Sequence, residues 1–420
     1  PSYALENEFG GFWDTRFESR HYFSGFDRGD VNDIDLDTGL PTTAGDDTQE
    51  KVVTRTRLYY TAKIKDNLKL VNKFEMDATW GSAEGSRSAA GTGNRGYGQT
   101  GADGANIEIK NTYADFNVGP VNFTVGVQGF DLFRSFYISE DASGVIGRWK
   151  VMDNFVLAAS WLKPYEGGDG EEENDDVDSY TISCAFWFNE NISIKPSINW
   201  DHSDDPFEYA TDAFYTPPGT TLVGICDDLR QWTFGADFDM AYDNWGLWAT
   251  AVMQTGSVDD VTLNTSIPFL GIDITTTDDI DFEGYLLAIG GNVMLGGFDI
   301  YAEAAYGSGS DDADEFGFSN PLGAHGWSEL LADGTLWDGA VAGASAGNGG
   351  DYSQVTNLWY VGGGFKWSPM DKLTLNPEIW YASLDEENQT GEDSLGIEVD
   401  LTVTYQLVEG MNLELIGAYL

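Results

Sequence analysis

The chain has 420 residues, with 70 Asp and Glu against 21 Lys and Arg, a net charge of −49 and 14% aromatic side chains. So acidic a balance excludes a nucleic-acid binder, which needs a basic face, and favours cations as the ions drawn to the surface. No run of eighteen apolar residues occurs, the nearest being 285–306 with Asn292, Asp299 and Glu303 inside it, so a membrane-spanning helix is excluded.

Taken in chain order, the segments read as strands. Near residue 8, Phe9, Trp13 and Phe17 share one face, and Asp14, Arg16, Glu18 and Arg20 share the other. The next strand, from about 51, sets Val52, Leu58, Tyr60 and Ile64 against Arg55, Arg57 and Lys63. The third sets Leu70, Phe74, Met76 and Trp80 against Lys69, Lys73, Glu75 and Asp77. Period two marks a strand with one apolar face. Short Asn, Asp and Gly turns recur at 65–67, 152–154, 189–191, 242–244, 296–297, 369–371 and 408–410, each followed by an apolar pair two residues apart. These residues tolerate the backbone of tight hairpins. Two copies are close in sequence, ISIKPSINWDHSDD from Ile192 and LTLNPEIWYASLDE from Leu373. Each carries a mid-strand proline, Pro196 or Pro377, where a local bulge is expected.

Seventeen strands are counted, starting near 8, 51, 68, 105, 121, 144, 155, 178, 192, 230, 245, 281, 298, 356, 372, 395 and 411. A soluble sandwich also alternates. Here, however, short turns alternate with long loops, the asymmetry of a transmembrane barrel. Aromatics such as Trp80, Trp161, Trp200, Trp245, Trp367, Tyr381 and Tyr405 sit near strand ends, as at a headgroup belt. The fold class expected is all-β: one transmembrane antiparallel up-and-down β-barrel over 1–420, of 16–18 strands. Bacterial single-chain barrels have an even number, so a final strand after Leu420 is expected to be missing. Strands of that number enclose water. No signal peptide is visible at Pro1, which fits either a cytosolic protein or a mature exported protein whose signal peptide has been removed.

Long polar loops are expected at 27–50, 81–104, 164–177, 202–229, 256–280 and 307–354. The run Glu171–Glu173 with Asp175 and Asp176 suits divalent cations bridging to anionic lipid headgroups, or a solvated surface. Asp33, Asp35 and Asp37 hint at Ca2+, but Thr38 and Ala44 stand where an EF-hand needs Gly and Glu. Cys184 and Cys226 leave a disulfide open, and the scattered His21, His202 and His325 give little support for a Cys/His metal site. Gly91, Gly93 and Gly96 lack the strand-to-helix context of a dinucleotide site. Gly343, Ser345 and Gly347 lack that of a nucleophile elbow. No catalytic residue is assigned, and an enzyme is not expected.

The functional constellation is expected in the lumen. The strand phases turn Arg16, Arg20, Arg55, Arg57, Lys73, Arg148 and Lys150 inward, because a cation facing lipid at mid-depth costs about 2–4 kcal/mol. The third loop, 129–144, carries Asp131, Arg134, Glu140 and Asp141 among Phe130, Phe133, Phe136 and Tyr137. Its aromatics need a surface, which the inner wall supplies. A basic wall facing an acidic loop would make a transverse field across an opening. Alternatively, these arginines pair with neighbouring acids to fill the wall.

Residues 111–144, NTYADFNVGPVNFTVGVQGFDLFRSFYISEDASG, together with Phe9 to Arg20 and TRTRLYYTAKIKDNLKLVNKFE, resemble outer-membrane trimeric porins of anaerobic sulfate-reducing bacteria. The resemblance implies a homotrimer in the bacterial outer membrane, in contact with its lipid and lipopolysaccharide. It also implies a third loop folded into each pore and passive diffusion of small hydrophilic solutes and ions. By position, Asp131, Glu140 and Asp141 would be eyelet acids, and Arg16, Arg55 and Arg57 wall bases. Such porins end on an aromatic residue, where this chain has Leu420. Two other readings stand beside a general, mildly cation-preferring pore. One is a substrate-specific monomeric channel for a polysaccharide or organic anion. The other is an acidic β-rich surface protein or adhesin.

Overall fold

A computed structural model of the chain describes residues 6–21, 48–65, 67–80, 107–166, 176–204, 220–222, 227–267, 272–310, 312, 315–320, 322–333, 355–386 and 393–420. Most of the loops predicted at 27–50, 81–104, 164–177 and 202–229 lies outside these residues. So do Asp33, Asp35, Asp37, Cys226 and both glycine motifs. Cys184 carries a free thiol. Among the described residues no helix is long and apolar enough to cross a membrane.

The chain divides into two compact units, residues 1–129 with 141–149, and residues 130–140 with 150–420. The first holds β1 (Glu6–His21), β2 (Thr48–Lys65), β3 (Leu68–Thr79), β4 (Glu108–Val118) and most of β5 (Val121–Leu132) and β6 (Ile138–Met152). From β1 to β5 each strand pairs antiparallel with the next. Their register opposes Arg55 to Asp77 and Arg57 to Glu75. Phe9, Trp13 and Phe17 are exposed on the other face, as the alternation requires.

In the second unit follow β7 (Phe155–Tyr165), β8 (Val177–Asn189), β9 (Ile192–Ser203), β10 (Thr220–Leu222), β11 (Asp227–Tyr242), β12 (Trp245–Ile267) and β13 (Ile272–Phe282). Then come β14 (Tyr285–Leu295), β15 (Phe298–Gly307), β16 (Glu315–Phe316), β17 (Leu358–Met370), β18 (Leu373–Leu384), β19 (Ser394–Val408) and β20 (Met411–Tyr419). The long strands run β7-β8-β9-β11-β12-β14-β15-β17-β18-β19-β20, each antiparallel to its neighbour. Among the described residues seventeen strands match those counted in the sequence, and the short β10 and β16 and the 11-residue β13 are additions.

Three expectations need correction. The loop predicted at 256–280 is mostly strand. β12 continues to Ile267 and pairs with β13, after a register shift at Val258/Val261 where Asp260 takes a φ of 51°. Neither Pro196 nor Pro377 sits in a bulge. Pro196 stays in register opposite Ala236 and Pro377 opposite Leu401. On its other side each strand keeps its register across the proline, so the missing donor is absorbed by a gap in one ladder without an extra residue. Finally, the loop at 307–354 is not wholly polar and external, because part of it is core.

That core lies on one face of the second unit's wall. On β14, Leu287 and Ile289 are 54% and 51% exposed, while Leu286 and Ala288 between them are 0% and 5% exposed. The exposed face is the apolar one a lipid would contact. The opposite, inner face is covered by two chain segments, 130–140 and 315–333. Leu132, Phe133, Phe136, Phe318, Trp327 and Leu331 from these segments pack with Val252, Leu286, Tyr360 and Trp380 of the strands. Fully burying such a side chain contributes about 1.5–3 kcal/mol each, enough to hold loops against a wall.

Candidate functional site

The predicted wall bases of the first unit are mostly paired. Arg55 makes a two-pronged contact with Asp77, Nε at 2.9 Å and Nη2 at 2.6 Å, and lies 3.5 Å from Glu75. Arg57 donates to the same Glu75, whose side chain is 3% exposed. The β2/β3 register sets these partners directly opposite. Arg16 is bonded to Asp14 at 2.8 Å. The Lys73 ammonium lies 5.7 Å from the Tyr59 ring centroid. Arg148 donates to Thr124 at 3.2 Å. The side chain of Arg20 lies outside the described residues. Asp141 belongs to this unit too, where it accepts from Asn111 at 2.5 Å and lies 3.6 Å from Lys110. Lys150, in the second unit, instead reaches Asp153 in the following turn, at 2.9 Å.

Asp131, Arg134 and Glu140 belong to the second unit. Between β5 and β6 the loop is short, and its apex residues Phe133, Arg134 and Ser135 have φ of 56°, 55° and 68°. A left-handed backbone costs L-residues about 1–2 kcal/mol each, and persists only where the surroundings over-determine it. Here they do. Phe133 and Phe136 are 1% and 0% exposed. The Phe133 ring lies against Gly235 of β11, where an added Cβ would meet it at 2.7 Å. Arg134 donates to Asp239 and, at 3.3 Å, to the Phe238 carbonyl, and its Nε lies 3.8 Å from Asp237. Its guanidinium sits 4.9 Å from the Trp248 ring centroid. Lys195 approaches Asp239 at 3.1 Å. Asp131 accepts from Ser135 at 2.5 Å and Glu140 is exposed.

A second inward segment is stitched to the first. Leu322 accepts from the Ser139 amide at 2.6 Å, Ser135 from the Ala324 amide at 2.9 Å, and Phe136 from the Asn320 side chain at 2.6 Å. Its far end is tied to the wall by Glu398, which is 0% exposed. That carboxylate accepts from the backbone of Glu329 and Leu331 at 2.9 Å and of Leu330 at 2.7 Å. Trp327 stacks on Tyr360, centroids 4.3 Å apart.

Several inner-face residues here were not picked out from the sequence: Asp237, Asp239, Lys195, Glu303, His325 and Glu378. Asp237 and Asp239 were visible as the acids of FGADFDMAY, where period two sets both on one face. Glu378 accepts from Tyr301 at 2.6 Å. His325 carried no signal, because only the folded loop gives it partners.

The fold is that of known outer-membrane channels. Among solved structures the chain is similar to Pseudomonas aeruginosa OccK8 (OprE), at 10% identity and TM-score 0.52, over 99% of this chain and 94% of that one. It is similar to OccK9 (OpdG) of the same organism at 12% identity and TM-score 0.53, over 99% and 93%. It is also similar to that organism's OpdK, solved with vanillate, at 9% identity and TM-score 0.53, over 99% and 93%. No protein-family model and no curated protein sequence matches the chain. The fold class is thus the antiparallel transmembrane β-barrel of outer-membrane channels.

Proposed function

We propose that the chain forms a water-filled channel in the bacterial outer membrane, through which small hydrophilic solutes and ions diffuse passively. The observation that carries this reading is the two-faced wall. Apolar side chains are exposed on one face of each unit, and charged, hydrogen-bonded ones line the other. A soluble sandwich would bury the apolar face and expose the charged one, the reverse of what the strands do. In the second unit the acids on the inner face include Asp201, Asp237, Asp239, Asp299, Glu303, Glu378, Glu398, Asp400 and Glu414, against Arg134, Lys195 and Lys366 among the bases, so cations are favoured over anions. Planar-bilayer recording of the purified chain tests both points. Ohmic conductance is expected, with a reversal potential favouring K+ over Cl−. A silent bilayer sinks the channel, and an anion-favouring potential sinks the selectivity.

The likeness to the trimeric porins of sulfate-reducing bacteria supports a homotrimer seated in lipid and lipopolysaccharide, with Arg16, Arg55 and Arg57 as wall bases, and the strand alternation adds Arg20, Lys73 and Arg148. Asp131, Arg134, Glu140 and Asp141 belong with the constriction in the same reading. Apart from that likeness, the acidic loops, Asp33, Asp35 and Asp37 among them, are where Ca2+ would be held. Shifted mobility on a gel before and after boiling reports the barrel and the oligomer. A second reading, a channel selective for one solute class, is favoured by the two segments covering the inner face of the second unit. Block of conductance by one solute at micromolar concentration distinguishes it.

A further inference from the structure

His325 stands between the two inward segments and the wall of the second unit. Its Nδ1 lies 3.0 Å from the carbonyl oxygen of Arg134, and its Nε2 lies 3.2 Å from Oε1 of Glu303 on β15. Its ring stacks on Phe136, centroids 3.9 Å apart and planes 20° apart, and meets Trp248 of β12 edge-on at 6.2 Å. Both polar partners are acceptors, since a carbonyl oxygen and an ionised carboxylate have no proton to give, and a neutral imidazole has one N–H. Making both contacts therefore takes one proton more than a neutral ring and a carboxylate bring, wherever on the His325–Glu303 pair it resides. Glu303 is held in place, because its Oε1 also accepts from the Tyr360 hydroxyl of β17 at 2.7 Å.

The other charged groups nearby are committed elsewhere. The Arg134 guanidinium turns to Asp237 and Asp239 of β11, with Lys195 of β9 on Asp239. Asp131 takes the Ser135 hydroxyl, and Glu140 is exposed at the loop's end. From β12 the ring meets Trp248, and from β17 Tyr360 reaches its partner Glu303.

We propose that His325 is a positioning residue of the constriction, a proton-dependent latch that fixes both inward segments to β15. This rests on the channel reading above. With the proton present the tie is complete. As pH rises and that proton leaves, the neutral ring can donate to only one of the two partners, acceptor faces acceptor at the other, and the tie between segment and strand is broken there. A hydrogen bond to a charged group is worth about tenfold or more in an equilibrium.

The test is single-channel recording of the full chain at pH 5 and pH 8, beside His325→Phe and Glu303→Gln. The wild type is expected to hold one steady level at pH 5. At pH 8 the fraction of time in a looser, more conductive state should be about tenfold greater. His325→Phe keeps the stack and loses both bonds, where the neutral wild-type ring loses one, so it is expected to populate the looser state at least as much as the wild type at pH 8 and to do so equally at both pH values. Glu303→Gln supplies its own N–H to a neutral ring, so it stays steady at both. The latch is overturned by a wild type indifferent to pH, by His325→Phe keeping the wild-type response, or by Glu303→Gln following it. Heat-modifiable mobility checks that each variant folds. The conservative Glu303→Gln carries the test if the phenylalanine variant does not. A wild type without ohmic conductance at either pH overturns the channel, and the latch with it.

Discussion

Glu398→Ala is expected to release the segment 329–333 from the wall at a cost of about 3 kcal/mol, and to raise single-channel conductance. Three backbone amides converge on this carboxylate, which is fully buried. Alanine leaves all three donors without their acceptor, and each buried donor so stranded costs about 1–3 kcal/mol. The segment is not strand and can move toward water, so the loss falls at the low end of that sum. Glu398→Gln keeps one acceptor oxygen and should fall between the two. Thermal unfolding in detergent, followed by loss of the fast-migrating gel form, measures the stability. Bilayer recording measures the conductance. An alanine variant matching the wild type in both would show that aromatic packing alone, such as Trp327 on Tyr360, holds the segment.

The strands were legible because a period of two needs no knowledge of the rest of the chain. Phe9, Trp13 and Phe17 declare one face and Asp14 and Arg16 the other. Counting from a tight turn flanked by Lys65 and Leu68 would set Arg57 against Met76, and only the register shift at Lys63/Lys65 brings it opposite Glu75. The same rule misjudged the prolines, since Pro196 and Pro377 look disruptive locally but need only forgo one ladder contact. It also could not see the second inward segment. Phe318, Trp327 and Leu331 have no period and sit among Gly, Ser and Asp, so nothing local separates them from a solvated loop. Their burial is decided by the wall of β14, β15 and β17 and by segment 130–140, which is tertiary information. The aromatics of 130–140 were legible for the opposite reason. Phe130, Phe133, Phe136 and Tyr137 crowd into eight residues and must be covered by something.

What covers them gives the second large expected effect. Arg134→Ala should destabilise the chain by about 2–3 kcal/mol and shift the reversal potential further toward cations. Breaking a buried ion pair from one side costs about 3–5 kcal/mol. The figure is lowered here because Arg134 keeps 24% of its side-chain exposure, and solvent screens what is left. The variant leaves Asp237 and Asp239 facing Lys195 alone. It also removes the cation lying over Trp248 and the bond that holds three left-handed residues in place. Arg134→Lys keeps the charge but cannot reach Asp239 and the Phe238 carbonyl in one planar group, so it should restore selectivity more than stability. Gly235→Val provides the complementary perturbation. A Cβ at that position meets the Phe133 ring at 2.7 Å and the Ala251 carbonyl of β12 at 2.6 Å, so the loop and the β11/β12 pairing must both shift while every charge stays. If the loop constricts the channel through its position, the valine variant changes conductance with selectivity nearly intact. If the carboxylates behind it set the preference, only the arginine variants move the reversal potential. Equal shifts in both quantities from both variants would mean that charge and position are not separable at this loop.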